Sequence, residues 1–499
     1  MSPSPLLIRK VAVLGAGVMG AQIAAHLANA GIPALLYDLP AREGDPNGLV
    51  TKAIAGLTKL EPAPLGVKDR ASAIGACNYG ADLARLRECD LVIEAIAERL
   101  DWKRDLYERI APHLPPRAIL ASNTSGLSLA SLSGAVPAAL RPRFCGIHFF
   151  NPPRYMYLVE VIAAPETDAA LLDSLEAFLT TTLGKGVIRA KDTPNFIANR
   201  IGIFSVLATM KHTQTFGLGF DVVDALTGPA IGRAKSATYR TADVVGLDTM
   251  AHVVKTMFDT LPDDPWHALF ATPPVLAGLV AQGALGAKTK AGFFRKVGKD
   301  IQVLDPAARD YRVSAAQVAP EVAELLKIRS PAEKFAKLRA SAHPEAQFLW
   351  AIFRDLFHYC AYQLASIADN ARDVDLALRW GFGWQMGPFE TWQAAGWKDI
   401  AGWLAEDIAA GKTLSNAPLP GWVTGAKVAA AHGVHTAQGA YSAARDDFVA
   451  RSALPVYCRQ LFPDPVLSER ALAGMTMFET DAVRMWHLGD DVGIVSFKS

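Results

Sequence analysis

The feature that most constrains the fold is a glycine-rich loop between a strand pattern and a helix pattern near the N-terminus. The run VAVL, residues 11–14, is short, apolar and β-branched, which is typical of a strand buried on both faces. It is followed by GAGVMG, residues 15–20, then by a helical pattern that ends at Gly31, and then by an apolar run that ends in Asp38. This order predicts the strand–loop–helix–strand unit of a dinucleotide-binding site.

The three glycines of the loop serve different purposes. Gly15 permits the tight turn, Gly17 lets the backbone approach a pyrophosphate, and Gly20 lets the helix pack on the strand. Val18 and Met19 begin the helix, whose first N–H groups and positive dipole end favour a phosphate. We therefore expect these five residues to hold the diphosphate of a dinucleotide.

The acid at the end of the second apolar run indicates which dinucleotide is bound. Asp38 would accept hydrogen bonds from the adenosine ribose hydroxyls and would repel a 2′-phosphate. NAD is therefore the predicted cofactor. Arg42 is close enough to Asp38 to keep NADP as an alternative.

Three further apolar runs predict strands, and helical patterns separate them: DLVIEAI (90–96), AILASN (118–123) and FCGIHFF (144–150). The first half-chain is therefore predicted to be α/β, a doubly wound parallel sheet. Ligands of such sheets bind beyond the carboxyl ends of the strands. Each polar residue that follows a strand run could also be a cap or a turn residue, but their convergence on one edge predicts a site: Glu98, Asn123, Ser125 and His148.

The stretch FCGIHFFNPPRYMYLVEVI, residues 144–162, places one His and one Glu inside apolar runs on either side of a Pro-Pro turn. A buried imidazole and a buried carboxylate both cost free energy unless they find partners. The turn doubles the chain back, so the two can meet. Glu160 would then orient His148 as a general base. The alternative is a structural His and a Glu at a strand edge.

Composition excludes several classes of protein. The 499 residues carry a formal net charge of +1, which gives no nucleic-acid footprint and no membrane-seeking basic face. The five cysteines lie far apart, which argues against disulfides and suits a reducing cytoplasm. Arg9 and Lys10 interrupt the apolar N-terminus, so no signal peptide is predicted, and no run reaches the ~20 apolar residues of a membrane span. His432 and His435 are the only close histidine pair, so no metal site is expected.

Together these motifs resemble the 3-hydroxyacyl-CoA dehydrogenase family of fatty-acid β-oxidation. The resemblance spans most of residues 8–300 and rests on GAGVMG, EAIAERLDWK, SNTSG, GIHFFNPPRYMYLVEV and KDTPNFIANR. It implies an enzyme that uses NAD to oxidise L-3-hydroxyacyl-CoA to 3-oxoacyl-CoA, whereas the cytoplasmic location is expected from the composition alone. It also implies an acyl-CoA substrate.

The resemblance implies roles for individual residues. His148 matches the general base and Glu160 its partner, while Ser125 and Asn199 match residues that contact the substrate oxygen. The matches on the cofactor side are Glu98 and Lys103, which approach the nicotinamide, and Asn123 and Asn151, which lie in the cofactor pocket.

Two positions depart from the family pattern. The family commonly has a second Ser where this chain has Gly126, and Gly before Phe where this chain has Asn195. The stretch 45–75, which would include acyl-CoA contacts, is divergent and Pro-rich. That divergence adds some support to the alternative substrate, a 3-hydroxy acid or sugar acid without CoA. The NPPRYM motif and the tandem helical segments, which resemble those of acyl-CoA enzymes, argue against this alternative. A scaffolding role for a relative that has lost activity is the third hypothesis, and the presence of all four catalytic candidates argues against it.

Helical patterns dominate after residue 190, and residues 350–396 partly repeat the earlier helical segment without its own His–Glu pair or dinucleotide loop. We therefore predict two tandem all-α domains of the family's C-terminal type, packed on each other like two subunits of a simpler dimer. The sequence leaves two oligomeric states as alternatives, a monomer and a dimer. Trp380, Trp384 and Trp392 are expected to pack in a core. The predicted units are a Rossmann domain at 1–190, a helical pocket domain at 191–300, a connecting segment at 301–345, a second helical repeat at 346–445 and a tail at 446–499.

The tail ends in GIVSFK, an alternating strand pattern for which the sequence offers no following partner. Longer proteins that resemble this one continue into an enoyl-CoA hydratase domain. We therefore expect that this domain is missing here and that a separate hydratase is a candidate partner.

Overall fold

An eight-stranded sheet with helices on both faces forms the N-terminal part of the computed structural model, which describes residues 7–458, 474–487, 489 and 492–498. Its strands are β1 (Val11–Leu14), β2 (Ala34–Asp38), β3 (Ile74–Asn78), β4 (Leu91–Glu94), β5 (Ile119–Ser122), β6 (Phe144–Phe149), β7 (Leu158–Ala163) and β8 (Gly186–Ala190). Its helices are α1 (Val18–Asn29), α2 (Gly48–Leu57), α3 (Leu100–Ile110), α4 (Leu129–Ala135) and α5 (Ala169–Thr181).

The strand order is β3-β2-β1-β4-β5-β6-β7-β8, and the pairs from β3 to β6 are parallel. This confirms the doubly wound sheet. One strand departs from the parallel arrangement: β7 runs antiparallel to β6. Only residues 150–157 separate these two strands, fewer than the roughly dozen residues that a parallel crossover needs. The chain therefore turns straight back.

Alternate residues of the central strands enter two separate cores. Val11 and Val13 of β1 pack in one core, with α1 and α5, while Ala12 and Leu14 pack in the other, with α3 and α4. Because both faces are covered, every residue of β1 is buried. This explains why the strand appears in the sequence as a continuous apolar run.

A helical region follows the sheet. It contains α6 (Ala198–Thr215), α7 (Phe220–Leu226), α8 (Tyr239–Val245), α9 (Leu247–Thr260) and α10 (Pro274–Ala281), and it ends in an antiparallel sheet of β9 (Phe294–Val297), β10 (Asp300–Asp305) and β11 (Asp310–Val313). The segment 301–345 thus holds most of β10, all of β11 and two helices, α11 (Pro320–Lys327) and α12 (Pro331–Ala340). The helix α12 packs on the next helix of the chain.

A second helical region comprises α13 (Pro344–Ile367), α14 (Ala371–Phe382), α15 (Pro388–Ala394), α16 (Trp397–Ala409) and α17 (Ala426–Ala431), followed by a sheet of β12 (His435–Thr436), β13 (Gly439–Ser442) and β14 (Asp447–Val449). The expectation that these regions are all-α is wrong, because each one ends in a small antiparallel sheet. The short helix α18 (Pro455–Cys458) and a last sheet of β15 (Met475–Glu479), β16 (Val483–His487) and β17 (Ile494–Phe497) follow.

The strand expected at the end of the chain does have a partner. It forms β17, which pairs antiparallel with β16. Residues 459–473 of the predicted tail lie outside the described residues.

The longest helix, α13, packs along α6 and joins the two helical regions. The rings of Phe204 and Tyr359 stack with centroids 3.8 Å apart and planes within 4°. Farther along, His212 Nε2 lies 2.8 Å from Asp355 Oδ2 in a buried ion pair. The interface therefore combines aromatic packing with a buried polar contact.

Of the aromatic residues in the second region, Trp392 is fully buried and stacks on Trp397 at 4.2 Å, as core packing predicts. None of the helices described for this chain combines the length and the apolar character that crossing a bilayer requires.

Candidate active site

The glycine loop has the geometry that its spacing predicts. Gly15 has a positive φ of 104°, and a Cβ there would lie 2.7 Å from the carbonyl oxygen of Ala95. A Cβ on Gly20 would lie 1.8 Å from the carbonyl oxygen of Gly15, so helix α1 starts directly against the loop. At Gly17 a Cβ would meet nothing within 4 Å. The open space at Gly17 is where a ligand can approach the protein backbone.

A cavity of about 470 Å³ adjoins this loop and is lined by Gly15, Gly17, Asp38 and a mixed apolar and polar wall that includes Trp102 and Arg109. Asp38 Oδ2 accepts a hydrogen bond from the N–H of Ala16 at 2.7 Å, which fixes the carboxylate at the loop. The cavity therefore fits the adenosine half of a dinucleotide, with an acid where the ribose would lie.

The start of α1 presents its first residues beside that loop. Val18 is 68% exposed and Met19 is half-buried, and Gly17 is the residue before the helix. Arg42, which could have favoured a 2′-phosphate, is exposed and does not line the described cavity. The geometry is consistent with NAD as the cofactor.

His148 and Glu160 are direct partners across the β6–β7 pair. His148 Nδ1 lies 2.8 Å from Glu160 Oε2, and since a carboxylate can only accept, Nδ1 carries the proton. Glu160 Oε1 accepts two more hydrogen bonds, from the N–H groups of Ile197 (3.0 Å) and Ala198 (2.9 Å). These groups begin α6, so the charge of Glu160 is held at a helix N-terminus.

The imidazole of His148 is 5% exposed and is enclosed by two aromatic rings. The centroid of Phe150 lies 4.5 Å from that of His148, and the centroid of Phe196 lies 5.6 Å away. Within the described residues Nε2 has no hydrogen-bond partner, so it is the nitrogen that can accept a proton from a ligand.

Ser125 is held by Glu98 at the same edge of the sheet. The carboxylate of Glu98 accepts hydrogen bonds from the Ser125 N–H at 2.6 Å and from the Ser125 hydroxyl at 3.0 Å. The Thr124 hydroxyl donates to it at 2.9 Å. Glu98 therefore shapes the loop that carries Ser125.

Lys103 is buried, and its ammonium lies 2.7 Å from Glu94 Oε1 and 3.6 Å from Glu98 Oε2. Glu94 was not predicted as a site residue, although it is fully buried at the carboxyl end of β4. It also accepts hydrogen bonds from the hydroxyls of Tyr107 (2.9 Å) and Ser122 (2.7 Å). Burial raises the pKa of the Tyr107 phenol, which keeps it a neutral donor.

The two candidate asparagines connect elements around the pair. Asn123 Oδ1 accepts from the N–H of Phe149 at 2.9 Å, which ties the end of β5 to the end of β6. Asn151 Oδ1 accepts from Gln22 Nε2 at 3.1 Å, which ties the Pro-Pro turn to α1. Gln22 had no distinguishing signal in the sequence. Asn123 is therefore fixed beside the end of β6, and Asn151 is fixed beside α1.

Asn199 is the second residue of α6 and is half-buried. No hydrogen bond joins its side chain to the other described candidates. It follows Ala198, whose N–H is bonded to Glu160, so the helix start brings Asn199 next to the pair. Its role as a substrate contact stays a prediction.

The two departures from the family pattern form one feature. Asn195 is 2% exposed and has a φ of 62°, a left-handed conformation that Asn tolerates better than most residues. A Cβ on Gly126 would lie 3.2 Å from Asn195 Oδ1, so the Asn195 side chain borders the space left open at Gly126. The buried Nδ2 of Asn195 has no acceptor in the described parts of the chain.

The site thus has a dinucleotide loop after β1 and a buried imidazole–carboxylate pair across β6 and β7, near the carboxyl end of β6. A fold and site of this kind define the class of dinucleotide-binding proteins. Comparison with known families is specific. Residues 10–193 match the family model described as 3-hydroxyacyl-CoA dehydrogenase, NAD binding domain, and residues 196–296 match 3-hydroxyacyl-CoA dehydrogenase, C-terminal domain. The chain belongs to the 3-hydroxyacyl-CoA dehydrogenase family, and its cofactor is NAD.

Similar proteins extend this comparison. A probable 3-hydroxyacyl-CoA dehydrogenase of Bacillus subtilis is 39% identical over 431 residues, which cover 83% of this chain and 54% of the relative. One of Deinococcus radiodurans with the same name is 45% identical over 291 residues, covering 58% of this chain and 83% of the relative. This chain therefore spans about half the length of the Bacillus protein.

A solved structure matches beyond the family models. The 3-hydroxybutyryl-CoA dehydrogenase of Escherichia coli K12 superposes with a TM-score of 0.63 and 24% identity, covering 84% of this chain and 98% of that one. At this identity the match shows a shared fold.

Proposed function

We propose that the chain oxidises an L-3-hydroxyacyl-CoA to the 3-oxoacyl-CoA with NAD, as in fatty-acid β-oxidation. The observation that carries the proposal is the His148–Glu160 pair, whose free Nε2 lies at the sheet edge that also carries the dinucleotide loop. Names of relatives, among them a 3-hydroxybutyryl-CoA dehydrogenase of Bradyrhizobium diazoefficiens that is 33% identical over 295 residues, support the substrate class.

His148 acts as the base in this proposal. Its Nε2 takes the proton of the 3-hydroxyl, while NAD, when bound, accepts the hydride from C3. Glu160 holds Nδ1–H and stabilises the positive charge that forms on the ring, and the N–H groups at the start of α6 keep Glu160 in place. The enclosing rings of Phe150 and Phe196 limit water around the imidazole.

Ser125 and Asn199 would align the substrate. In the structure the Ser125 hydroxyl donates to Glu98, so it has to turn away from this carboxylate to donate to the 3-oxygen. Asn199, at the start of α6, would reach the same oxygen or the neighbouring thioester carbonyl. Such alignment of C3 with the nicotinamide lowers the barrier because the reacting atoms are held in register.

The divergent Pro-rich stretch is anchored close to the site. Arg154 Nη1 donates to the carbonyl oxygens of Ala63 (2.7 Å) and Leu65 (2.8 Å), and the Tyr155 hydroxyl donates to that of Ala63 at 2.9 Å. Arg154 and Tyr155 directly follow the Pro-Pro turn. This stretch is therefore placed to border whatever group extends from the acyl chain, CoA in our proposal.

We also propose that residues 346–445 are a second copy of the helical domain at 191–300. Asp224 accepts from the N–H groups that begin α8, and Asp375 accepts from those that begin α15. Asp243 Oδ1 and Oδ2 accept from the N–H groups of residues 293 and 294, as Gln393 Oε1 does from those of residues 434 and 435. These matching contacts support a duplication in which α13 corresponds to α6.

The decisive experiment measures NADH oxidation with acetoacetyl-CoA beside free acetoacetate. We compare the wild type with His148→Asn and with His212→Asn, which removes another buried histidine paired with a carboxylate. We expect turnover with the thioester only, a loss of roughly 10²–10⁴-fold in His148→Asn, and retained turnover in His212→Asn.

Each other outcome has a definite meaning. Turnover with free acetoacetate as well would favour the alternative, a dehydrogenase of a 3-hydroxy acid without CoA. Tight NADH binding without turnover of either substrate would refute the proposed reaction. Equal losses in the two histidine variants would refute the assignment of the base.

A further inference from the structure

The C-terminal end of α14, in the second helical region, packs near β7, the strand that carries Glu160 of the His148–Glu160 pair. This helix contacts β7, β8 and α6. Its last three residues are Trp380, Gly381 and Phe382, here called the α14 tip. The tip lies outside the part of the chain that the family models match, which ends at residue 296.

Gly381 makes the closest approach. A Cβ at Gly381 would lie 2.8 Å from Leu158 Cδ2, 3.4 Å from Ala198 Cβ and 3.7 Å from Phe150 Cε1. The first distance is shorter than carbon atoms allow, so a side chain here would force the buried Leu158 side chain of β7 to move. Gly381 is thus in contact with three separate elements around the site.

Two of these three neighbours contact the catalytic pair, and the third lies on the strand of Glu160. Leu158 begins β7 and lies two residues before Glu160. The N–H of Ala198 donates to Glu160 Oε1 at 2.9 Å. The ring of Phe150 lies 4.5 Å from that of His148. A displacement at Gly381 would therefore be transmitted to both members of the pair.

The two aromatic rings of the α14 tip, on either side of Gly381, pack against α6 and β8. A Cβ on Gly202 of α6 would lie 2.0 Å from Phe382 Cζ, so the ring of Phe382 lies directly on the helix backbone. A Cβ on Gly186 of β8 would lie 2.5 Å from Trp380 Cε3. Trp380 also meets Tyr157 edge to face at 5.0 Å. Two glycines thus provide the room in which the tip docks.

The preceding helix holds the same neighbourhood. Arg200 follows Asn199 in α6, and its Nε donates to the Tyr359 hydroxyl of α13 at 2.5 Å. Lys191 Nζ donates to the carbonyl oxygen of Ala365 at 2.7 Å. The start of α6 is therefore held by α13 as well as by the α14 tip.

We propose that the α14 tip is a positioning segment for the His148–Glu160 pair, a role for the second helical region that rests on the function proposed above. The second helical region would hold β7 and the start of α6 in a fixed position relative to each other without contacting the substrate itself. It would act within one chain.

Gly381→Ala tests the proposal, with Gly402→Ala as the matched control. Both glycines lie in helices, but a Cβ on Gly402 would meet nothing within 4 Å. We expect Gly381→Ala to lower kcat for acetoacetyl-CoA by roughly tenfold to a hundredfold, because small misplacements of reacting groups are costly, while the Kd for NADH stays unchanged. Gly402→Ala should keep wild-type kcat.

A second substitution separates positioning from general damage. Leu158→Val removes the Cδ2 atom that a Cβ on residue 381 would strike. We expect the double variant Gly381→Ala/Leu158→Val to recover most of the lost kcat. A kcat of Gly381→Ala equal to that of Gly402→Ala would overturn the proposal, and so would a loss that Leu158→Val does not relieve.

A readout without substrate distinguishes this proposal from the proposed reaction. The Nδ1 proton of His148, bonded to Glu160, should give a downfield proton NMR signal that is lost in His148→Asn. We expect that signal in the wild type and in Gly402→Ala, and a shifted or missing signal in Gly381→Ala. An unchanged signal in Gly381→Ala would overturn positioning even if the wild type turned out to act on another substrate.

Discussion

Asn195 and Gly126 are packed as a pair: the position of a Cβ on Gly126 lies 3.2 Å from Asn195 Oδ1. The two residues are 69 positions apart, yet one borders the space that the other leaves. Asn195 belongs to the loop that leads to the N–H donors of Glu160, and Gly126 follows Ser125. The pair thus joins the two loops that would meet the substrate.

We predict that substitutions at these two positions are coupled. Gly126→Ser alone should crowd the side chains of Asn195 and Thr256, lowering both the melting temperature and kcat, because contacts at 3.2 Å force a neighbour to move. Adding Asn195→Gly should recover part of both losses, since Gly accepts the positive φ at this position. Thermal unfolding and NADH oxidation with acetoacetyl-CoA measure the cycle.

Gly134→Ser in α4 is the control for this cycle, because a Cβ there would meet nothing within 4 Å. It should leave kcat unchanged. Strictly additive effects of Gly126→Ser and Asn195→Gly would contradict the coupling.

Two glycines of the loop should differ in their effects: substitution of Gly17 should weaken NADH binding, whereas substitution of Gly20 should lower stability. Gly17→Ala should fold normally, because its Cβ would point into open space, but should weaken NADH binding tenfold or more by blocking the approach of the diphosphate. Gly20→Ala should instead destabilise the protein, since its Cβ would overlap the Gly15 carbonyl oxygen at 1.8 Å. NADH titration and thermal unfolding of both variants test this, and equal effects on binding and stability in the two would contradict it.

The buried ions Glu94 and Lys103 should contribute to the free energy of unfolding as a coupled pair. Glu94→Gln or Lys103→Met alone leaves a buried charge without its closest partner, and we expect each to destabilise by about 3–5 kcal/mol. The double variant should be destabilised less than the sum of the two. Urea unfolding measures all three, and additive losses would show that the pair is not coupled.

Lys185 should make stability depend on pH above neutrality. Its ammonium is buried and donates to the carbonyl oxygens of Pro153 and Met156, and burial lowers its pKa to about 8. Between pH 8 and the ordinary value of 10.5, the unfolded chain binds one more proton than the folded chain. The free energy of unfolding should therefore rise with pH in this window, by at most about 1.4 kcal/mol per unit.

Comparing the wild type with Lys185→Met at pH 7, 8, 9 and 10 isolates this effect from other titrating groups. The difference in free energy of unfolding should be flat below pH 8 and should then move in favour of the wild type. His26, the neighbouring histidine, has its pKa lowered to about 4 by burial and by the charge of Lys185, so it does not titrate in this range. Parallel profiles for the two proteins would refute the prediction.

Much of the site could be predicted because its parts are local in sequence. The spacing of Gly15, Gly17 and Gly20 indicates a distinct steric role for each, and the structure shows three different surroundings. Likewise, a Pro-Pro turn between two short apolar runs predicts that His148 and Glu160 meet, since such a turn reverses the chain. Local patterns of this kind need no knowledge of distant contacts.

The parts that escaped prediction depend on contacts between distant segments. Glu94 lies inside the apolar run 90–96, which predicts only a strand. Nothing in that run indicates that Lys103 and Tyr107 of α3 bind its carboxylate. Gly381 lies more than 180 residues from Ala198, and no period or motif connects them.

The docking of Phe382 on Gly202 and of Trp380 on Gly186 has a practical consequence for anyone trimming this protein. A fragment that stops at residue 296, where the family models end, would keep every candidate catalytic residue. It would nevertheless expose two bare stretches of backbone where aromatic rings now sit. A fragment made for expression should therefore extend at least through α14. Its end should be chosen from the packing of the helices, because the family motifs alone would place it too early.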